Sequence, residues 1–262
     1  MADFEDLIWH DDRMVLDGWT FRLEHTPGDN WPESIEYFRL FKTRDVIDQY
    51  HRFWRAHGAL APEFHPLHVL ELGIWDGASA ALWAELLAPE RLVAVDLARR
   101  NDSAYFEKFR RTRGHGARLV TRWATDQSDR TALGEIFNRD LGGRLDMVID
   151  DASHDLSATK ASFEILFPLL APGGLYFIED WSWPHWYNFQ SAEHPWSNRA
   201  PLSRLAETLM RAAGSMPDDG PKMITSLFVQ RDVLAVERGT RQVGAPAEFR
   251  LKDYALIRPQ DR

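Results

Sequence analysis

The side chains best suited to chemistry lie in two short runs. Asp150-Asp151-Ala152-Ser153-His154 supplies two carboxylates and an imidazole, and Glu179-Asp180 supplies two further carboxylates. Each run closes an apolar stretch, Leu145 to Ile149 and Leu175 to Ile178, of a length that suits a buried strand. If those strands are neighbours, their ends lie about 5 Å apart, and four carboxylates crowd one spot. Like charges at that distance repel one another. A hard divalent cation removes the conflict, because Mg²⁺, Mn²⁺ and Ca²⁺ prefer all-oxygen ligand sets. The same acids could instead be spread among helix caps and arginine pairs. His154 stands three residues beyond Asp151. An imidazole, with an ordinary pKa of about 6.5, suits proton removal near neutrality. An alcohol is too weak an acid for imidazole alone, but a metal on its oxygen lowers that barrier. Metal and base therefore account for each other.

A second constellation is Glu71-Leu72-Gly73-Ile74-Trp75-Asp76-Gly77-Ala78-Ser79, between the apolar run His68 to Leu72 and an Ala/Leu-rich helical stretch. Glycine there lets the chain turn sharply and approach a ligand closely. The spacing does not fit the Gly-x-Gly-x-x-Gly dinucleotide fingerprint or a P-loop. An acid leading into Gly-x-x-x-Gly suits a ligand with a cationic amino-acid tail. Asp96 ends the next apolar run, 19 residues after Gly77, where a carboxylate can hold both hydroxyls of a ribose.

The elements that must position these groups follow from periodicity. From about residue 68 the pattern alternates strands (68–72, 91–96, 117–121, 145–150, 175–179) with helices (78–87 and about 157–170). It closes with two apolar runs, 226–230 and 233–237, flanking Arg231-Asp232 as a hairpin. Repeated βα units imply a mostly parallel sheet with helices on both faces and an antiparallel hairpin at its edge. Residues 1–65 are expected to form an N-terminal helical and aromatic cap, and 66–262 the α/β domain. Within the cap, loops are expected at Thr26 to Asn30 and at Trp31-Pro32, and a helix from Ser34 to Trp54. Its aromatics either pack the helix on the core or line a lid over a ligand.

Composition narrows the class. The net charge of −9 argues against a nucleic-acid partner. Arg110-Arg111-Thr112-Arg113 is the one basic run of note, and a solvated helix end accounts for it. No run is long and apolar enough for a membrane span. The first residues lack the pattern of a signal peptide, and cysteine is absent, which together suit a cytoplasmic enzyme without disulfides or thiolate sites. The segment Trp181-Ser182-Trp183-Pro184-His185-Trp186-Tyr187, with Trp196 beyond, concentrates the tryptophans. It suits either a sugar or polyketide surface, with Trp181, Trp183, Trp186 and Tyr187 as acceptor contacts, or packing on other aromatics.

From about residue 66 to 240 the chain resembles the class I S-adenosylmethionine-dependent methyltransferases. The Asp150 to His154 motif, the stretch Leu166-Phe167-Pro168-Leu169-Leu170-Ala171-Pro172-Gly173-Gly174-Leu175-Tyr176 and Glu179-Asp180 are similar to the metal-dependent O-methyltransferases of macrolide sugars and of rhamnose. Ala152 stands where those enzymes commonly have glycine, a small departure. The resemblance implies a Rossmann-like fold and S-adenosylmethionine at Glu71, Gly73, Gly77, Ser79, Asp96 and Asp150. It places adenine near Asp126 and Gln127. Mg²⁺ or Mn²⁺ would sit on Asp151, Glu179 and Asp180, with His154 as base. It further implies a small-molecule sugar or glycoside acceptor in secondary metabolism, and a homo-oligomer is expected. Two other functions stay open: methylation of a phenol or catechol, or a metal-binding hydroxylase-like protein on the same fold.

Overall fold

Runs of Val, Ile, Leu and aromatic residues ending at acids or glycines form the strands, and Ala/Leu-rich runs between them form the helices. The computed structural model describes residues 2–24, 36–215 and 220–258. The chain is mixed α/β, with seven strands of mostly parallel sheet in addition to a four-stranded sheet near the N-terminus. It divides into two units, Met1–Asp126 and Gln127–Arg262.

In the first unit, β1 (Ile8–Trp9), β2 (Arg13–Leu16) and β3 (Trp19–Leu23) form an antiparallel meander, and β4 (Phe38–Leu40) runs parallel to β3. Helix α1 (Arg44–Leu60) follows, with Thr43 accepting the Val46 N–H as its N-cap. Then come β5 (His68–Leu72), α2 (Ala78–Leu87), β6 (Arg91–Val95), α3 (Ala104–Thr112) and β7 (Leu119–Arg122). Strands β5, β6 and β7 are parallel, with Leu70 opposite Val93 and Val93 opposite Val120. The second unit holds α4 (Arg130–Glu135), β8 (Met147–Asp150), α5 (Leu156–Leu166), β9 (Leu175–Glu179), α6 (Ser203–Gly214), β10 (Ile224–Val229) and β11 (Val233–Arg238). Here β8 and β9 are parallel, and β11 and β10 add antiparallel beyond β9. The expected βα alternation and terminal hairpin are thus present.

The region before β5 differs from expectation. The helix expected over 34–54 is a strand at Phe38–Leu40 followed by α1 at Arg44–Leu60. Ser34 and Ile35, like the loops expected over 26–32, lie outside the described residues. The spacing of Phe38 and Phe41 fits a helix, but Phe38 pairs with Phe21 of β3 and stacks on it at 5.1 Å. Burial of a whole strand, all three residues, outweighs local periodicity. Several of the aromatics there pack a core. Phe38 meets Tyr105 and Phe109 edge-on at 4.7 and 5.5 Å, Trp19 meets Phe109 at 5.0 Å, and Tyr50 of α1 lies on Trp83 of α2 at 4.6 Å. In the basic run at the end of α3, Arg110 pairs with Asp102 at 2.7 Å and Arg113 with Asp17 and Glu85, while Arg111 is exposed. Among the described residues no helix is long and apolar enough to cross a membrane.

Gly77 shows how tightly this packing constrains the turn into α2. Its φ is +82°, and a Cβ there would lie 2.6 Å from the Phe106 ring. Gly77→Ala should therefore destabilise the fold by about 2–4 kcal/mol, from left-handed backbone strain and overpacking together. A urea midpoint indistinguishable from wild type would contradict this packing.

Candidate active site

The glycine turn after β5 is held by Asp96. Gly73, at φ +101°, donates its N–H to the Val95 carbonyl at 2.8 Å. Asp96 Oδ2 accepts the Ile74 and Trp75 N–H groups at 2.9 and 3.0 Å, and Oδ1 accepts that of Ala98 at 2.8 Å. A carboxylate has about four acceptor positions; two are used in splinting the turn and a third on the chain just after Asp96. Asp96 was expected at a ribose; here its carboxylate first builds the loop. Glu71 is fully buried on β5, and Ser79 is buried in the first turn of α2. Asp126 is exposed, four residues past the end of β7.

Two features of this turn had no assigned role in the sequence. Asp76 Oδ2 lies 3.3 Å from Arg39 Nε of β4, both side chains being buried, so the N-terminal sheet is tied to the turn. Trp75, Asp76 and Gly77 also line a shallow depression with Asn101, Asp102 and Trp123. Asp102 accepts from Thr121, from the Trp123 indole and from Arg110, at 2.7–2.9 Å, which fixes the Trp123 ring. Neither partner was legible from spacing, since 37 residues separate Arg39 from Asp76.

In the second unit the acidic runs do converge. Ligand atoms of Asp151, His154 and Asp180 all lie within 4.8 Å of one another, and each residue is partly exposed. His154 Nε2 is 3.7 Å from Asp151 Oδ1 and 3.8 Å from Asp180 Oδ2. These are ion-pair distances, longer than hydrogen bonds. Two carboxylates this close repel by about 1–4 kcal/mol, according to how much water screens them. An imidazolium or a cation offsets that. Glu179 is buried at the end of β9 and stands outside the three-residue cluster. Asp155 is consumed as the N-cap of α5, accepting from Ser157 and Ala158.

The backbone at this cluster is unusual. His154 has φ +50° and Asp180 φ +52°, the left-handed region that L-residues adopt at a cost of about 1–2 kcal/mol. Asp180 follows β9 directly, and His154 lies in the loop four residues past β8. Strain of this kind concentrates at functional sites.

Asp150 and Gln127 form a buried network beneath the cluster. Asp150 accepts from Ser162 Oγ at 2.6 Å, from the Tyr176 hydroxyl at 3.0 Å and from Gln127 Nε2 at 3.1 Å. Gln127 Oε1 accepts the Ser153 N–H at 3.0 Å. Expected at a cofactor, both residues are engaged internally and brace the loop that carries His154. Sequence reading passed over Ser162 and Tyr176. Strand alternation supplied a signal, since Val148 and Tyr176 are in register and Asp150 lies two residues beyond Val148 on the same face.

Of the four aromatic residues expected at an acceptor, two are held by backbone. The Trp181 indole donates to the Gln230 carbonyl at 2.9 Å and that of Trp183 to the His154 carbonyl at 3.1 Å. Trp186 is partly buried, donating to Ser182 Oγ, and Tyr187 is fully exposed. Trp196 lies 6.5 Å from the His154 ring, with Arg199 stacked over it at 4.3 Å.

Burial pushes the Asp150 carboxyl up to about 6 from its ordinary 3.8, against the opposing pull of the Ser162 and Tyr176 hydrogen bonds and of nearby His154. The folded state thus binds this proton more tightly than the unfolded chain. Its contribution to stability is complete below about pH 4 and is lost as pH rises through about 6, a change of about 3 kcal/mol. Asp150→Asn, which cannot ionise, should flatten the fall in urea midpoint between pH 4 and pH 7.5. A variant with the wild-type pH slope would rule out Asp150 as its source.

Comparison with known proteins places this geometry. Residues 70–181 match the methyltransferase domain family. The chain is 27% identical over 207 residues to demethylmacrocin O-methyltransferase of Streptomyces fradiae, covering 73% of this chain and 49% of that protein. It is 34% identical over 169 residues to 8-demethyl-8-alpha-L-rhamnosyl tetracenomycin-C 2'-O-methyltransferase of Streptomyces olivaceus, covering 62% and 41%. The chain spans about half or less of the length of these curated relatives. The solved structure of the MycE methyltransferase from the mycinamycin biosynthetic pathway, in complex with Mg, SAH and mycinamycin VI, matches with a TM-score of 0.51 at 26% identity. That match covers 72% of this chain and 50% of that one. Residues 70–181 are thus similar to a methyltransferase domain, in a chain similar to a known O-methyltransferase over 73% of its length.

Proposed function

We propose that the chain is a metal- and S-adenosylmethionine-dependent O-methyltransferase acting on a sugar hydroxyl. The acceptor would be a rhamnose-like deoxysugar, as a nucleotide sugar or on a glycosylated natural product. The observation that carries this is the position of His154 Nε2, between Asp151 Oδ1 and Asp180 Oδ2. A methyl transfer to an alcohol needs a base beside a site for charge, and this arrangement provides both. The activities of the relatives, on demethylmacrocin and on a rhamnosyl tetracenomycin, support the sugar acceptor.

The donor set fits a hard cation. Asp151 and Asp180 present oxygens within 4.8 Å of each other and of one imidazole nitrogen; Glu179, buried one residue before Asp180, is the third carboxylate that the family resemblance gives to the metal. An iron oxygenase site more often pairs two histidines with one carboxylate, so the hydroxylase alternative is less well supported. A bound Mg²⁺ or Mn²⁺ supplies the Lewis acidity that makes a hydroxyl more acidic, and S-adenosylmethionine supplies the electrophilic methyl. The chain's own residues do the rest. His154 takes the hydroxyl proton at Nε2, and the two flanking carboxylates stabilise the imidazolium that results. Glu71, Gly73, Gly77, Ser79 and Asp96 form the cofactor turn, with Asp126 beyond β7, while Gln127 and Asp150 support the base loop from below. Trp186 and Tyr187, whose rings are the more available, wall the acceptor. In this assignment residues 66–262 are the methyltransferase domain, 1–65 a cap, and the active form a homo-oligomer.

Calorimetric titration of S-adenosylmethionine into EDTA-treated protein, followed by turnover assays with Mg²⁺, tests the reading. The acceptor panel holds rhamnosides, nucleotide-rhamnoses and catechols. Cofactor binding at micromolar concentration, with transfer to a rhamnoside only in Mg²⁺, is the expected outcome; no cofactor binding under any condition overturns it. His154→Ala should lower kcat about 10²–10⁴-fold with cofactor affinity unchanged. Transfer to a catechol alone, little affected by His154→Ala, would favour a phenolic acceptor. Asp151→Ala should abolish Mg²⁺-dependent turnover while leaving cofactor binding within a few-fold of wild type. Equal loss of both would remove Asp151 as a metal ligand.

A further inference from the structure

The two left-handed corners of the acidic cluster share one partner. The carbonyl of His154 accepts the Trp183 indole N–H at 3.1 Å, and the carbonyl of Asp180 accepts the Trp183 backbone N–H at 3.1 Å. One residue therefore ties the loop after β8 to the loop after β9, each at the residue whose φ is positive, +50° and +52°. Trp183 is buried, only 3% exposed. Trp196 meets its ring edge-on at 5.1 Å and Phe189 lies at 5.4 Å. Trp196 itself lies by the His154 imidazole and carries Arg199, whose Nη1 reaches the Ser153 carbonyl at 3.5 Å. The indole is thus gripped from outside and bonded toward the cluster on its inner edge.

We propose that Trp183 is a positioning residue: a clamp that holds His154 and Asp180 at the separation a divalent cation and a general base require, and not an acceptor contact. A left-handed, non-glycine residue relaxes unless its neighbours over-determine it. At both corners a Trp183 hydrogen bond contributes to that hold, and the indole bond is lost in any residue without a donor at that position. Relaxation at either corner moves one of the two groups that face Asp151.

This inference rests on the metal-dependent reading above, and the tests separate the two. Mn²⁺ alone is titrated into wild type, Trp183→Phe and Trp186→Phe, with free ion read by electron paramagnetic resonance and no cofactor or acceptor present. Trp183→Phe keeps an aromatic ring and the backbone N–H but loses the indole donor, and should weaken Mn²⁺ binding about 3–10-fold. Trp186→Phe loses an indole bonded only to Ser182, and should leave Mn²⁺ affinity unchanged. In turnover, Trp183→Phe should reduce kcat about tenfold with the acceptor KM within about twofold, where an acceptor contact would raise KM. Wild-type Mn²⁺ affinity in Trp183→Phe overturns the clamp and leaves the proposed function standing. Failure of wild type to bind Mn²⁺ overturns the metal reading and the clamp with it. If Trp183→Phe does not fold, hydrogen exchange of the Trp183 indole N–H in wild-type protein decides. Slower exchange on adding Mg²⁺ supports the clamp, because linkage is reciprocal, and an unchanged rate overturns it.

Discussion

Everything at the candidate site depends on two carboxylates and an imidazole being held close enough to conflict. Asp151, His154 and Asp180 present their ligand atoms within 4.8 Å of one another, although repulsion between the acids would drive them apart. The fold resists this by geometry. Parallel strands β8 and β9 run in register from Met147 opposite Leu175 to Asp150 opposite Ile178, so their exits lie side by side. A left-handed residue then stands directly after β9, at Asp180, and another four residues after β8, at His154. Backbone strain and charge repulsion, each of the order of a kcal/mol or more, are sustained there by the packing around them.

That packing comes from two directions. Beneath lies a wholly buried polar network in which Asp150 gathers the Ser162, Tyr176 and Gln127 donors, and Gln127 in turn holds the Ser153 N–H. Such a network, once satisfied, rigidifies a loop more than apolar packing can, since displacing any member leaves a buried group without its partner. On another side lies the aromatic segment Trp183, Phe189 and Trp196, with the Trp183 indole donating to the His154 carbonyl and Arg199, stacked on Trp196, donating to that of Ser153. The cluster is accessible on its remaining side, where His154, Asp151 and Asp180 keep 16–31% side-chain exposure.

In the first unit the same economy appears with a different sign. Asp96 spends its oxygens on three backbone N–H groups of the glycine turn and its flank, and Arg39 pairs with Asp76 inside that turn. The turn is therefore built before any ligand arrives. A preformed loop loses less conformational entropy on binding than a floppy one, which suits a cofactor that must be bound and released each cycle.

The sequence by itself determined the alternation of strands and helices, the Asp/His motif and the glycine turn. Each of these is written in contiguous residues through local periodicity, chain stiffness or residue chemistry. It missed β4, because Phe38 and Phe41 have helical spacing while the strand exists only through its pairing with β3, fifteen or more residues away. From polarity alone it could not show that Asp150 and Gln127 have internal partners in Ser162, Tyr176 and the Ser153 N–H, nor that the Trp181 and Trp183 indoles donate to the Gln230 and His154 carbonyls. Tertiary structure supplied those partners. Which partner satisfies a buried donor or carboxylate depends on which distant segments are brought together, and desolvation forces each such group to take the partner that folding supplies.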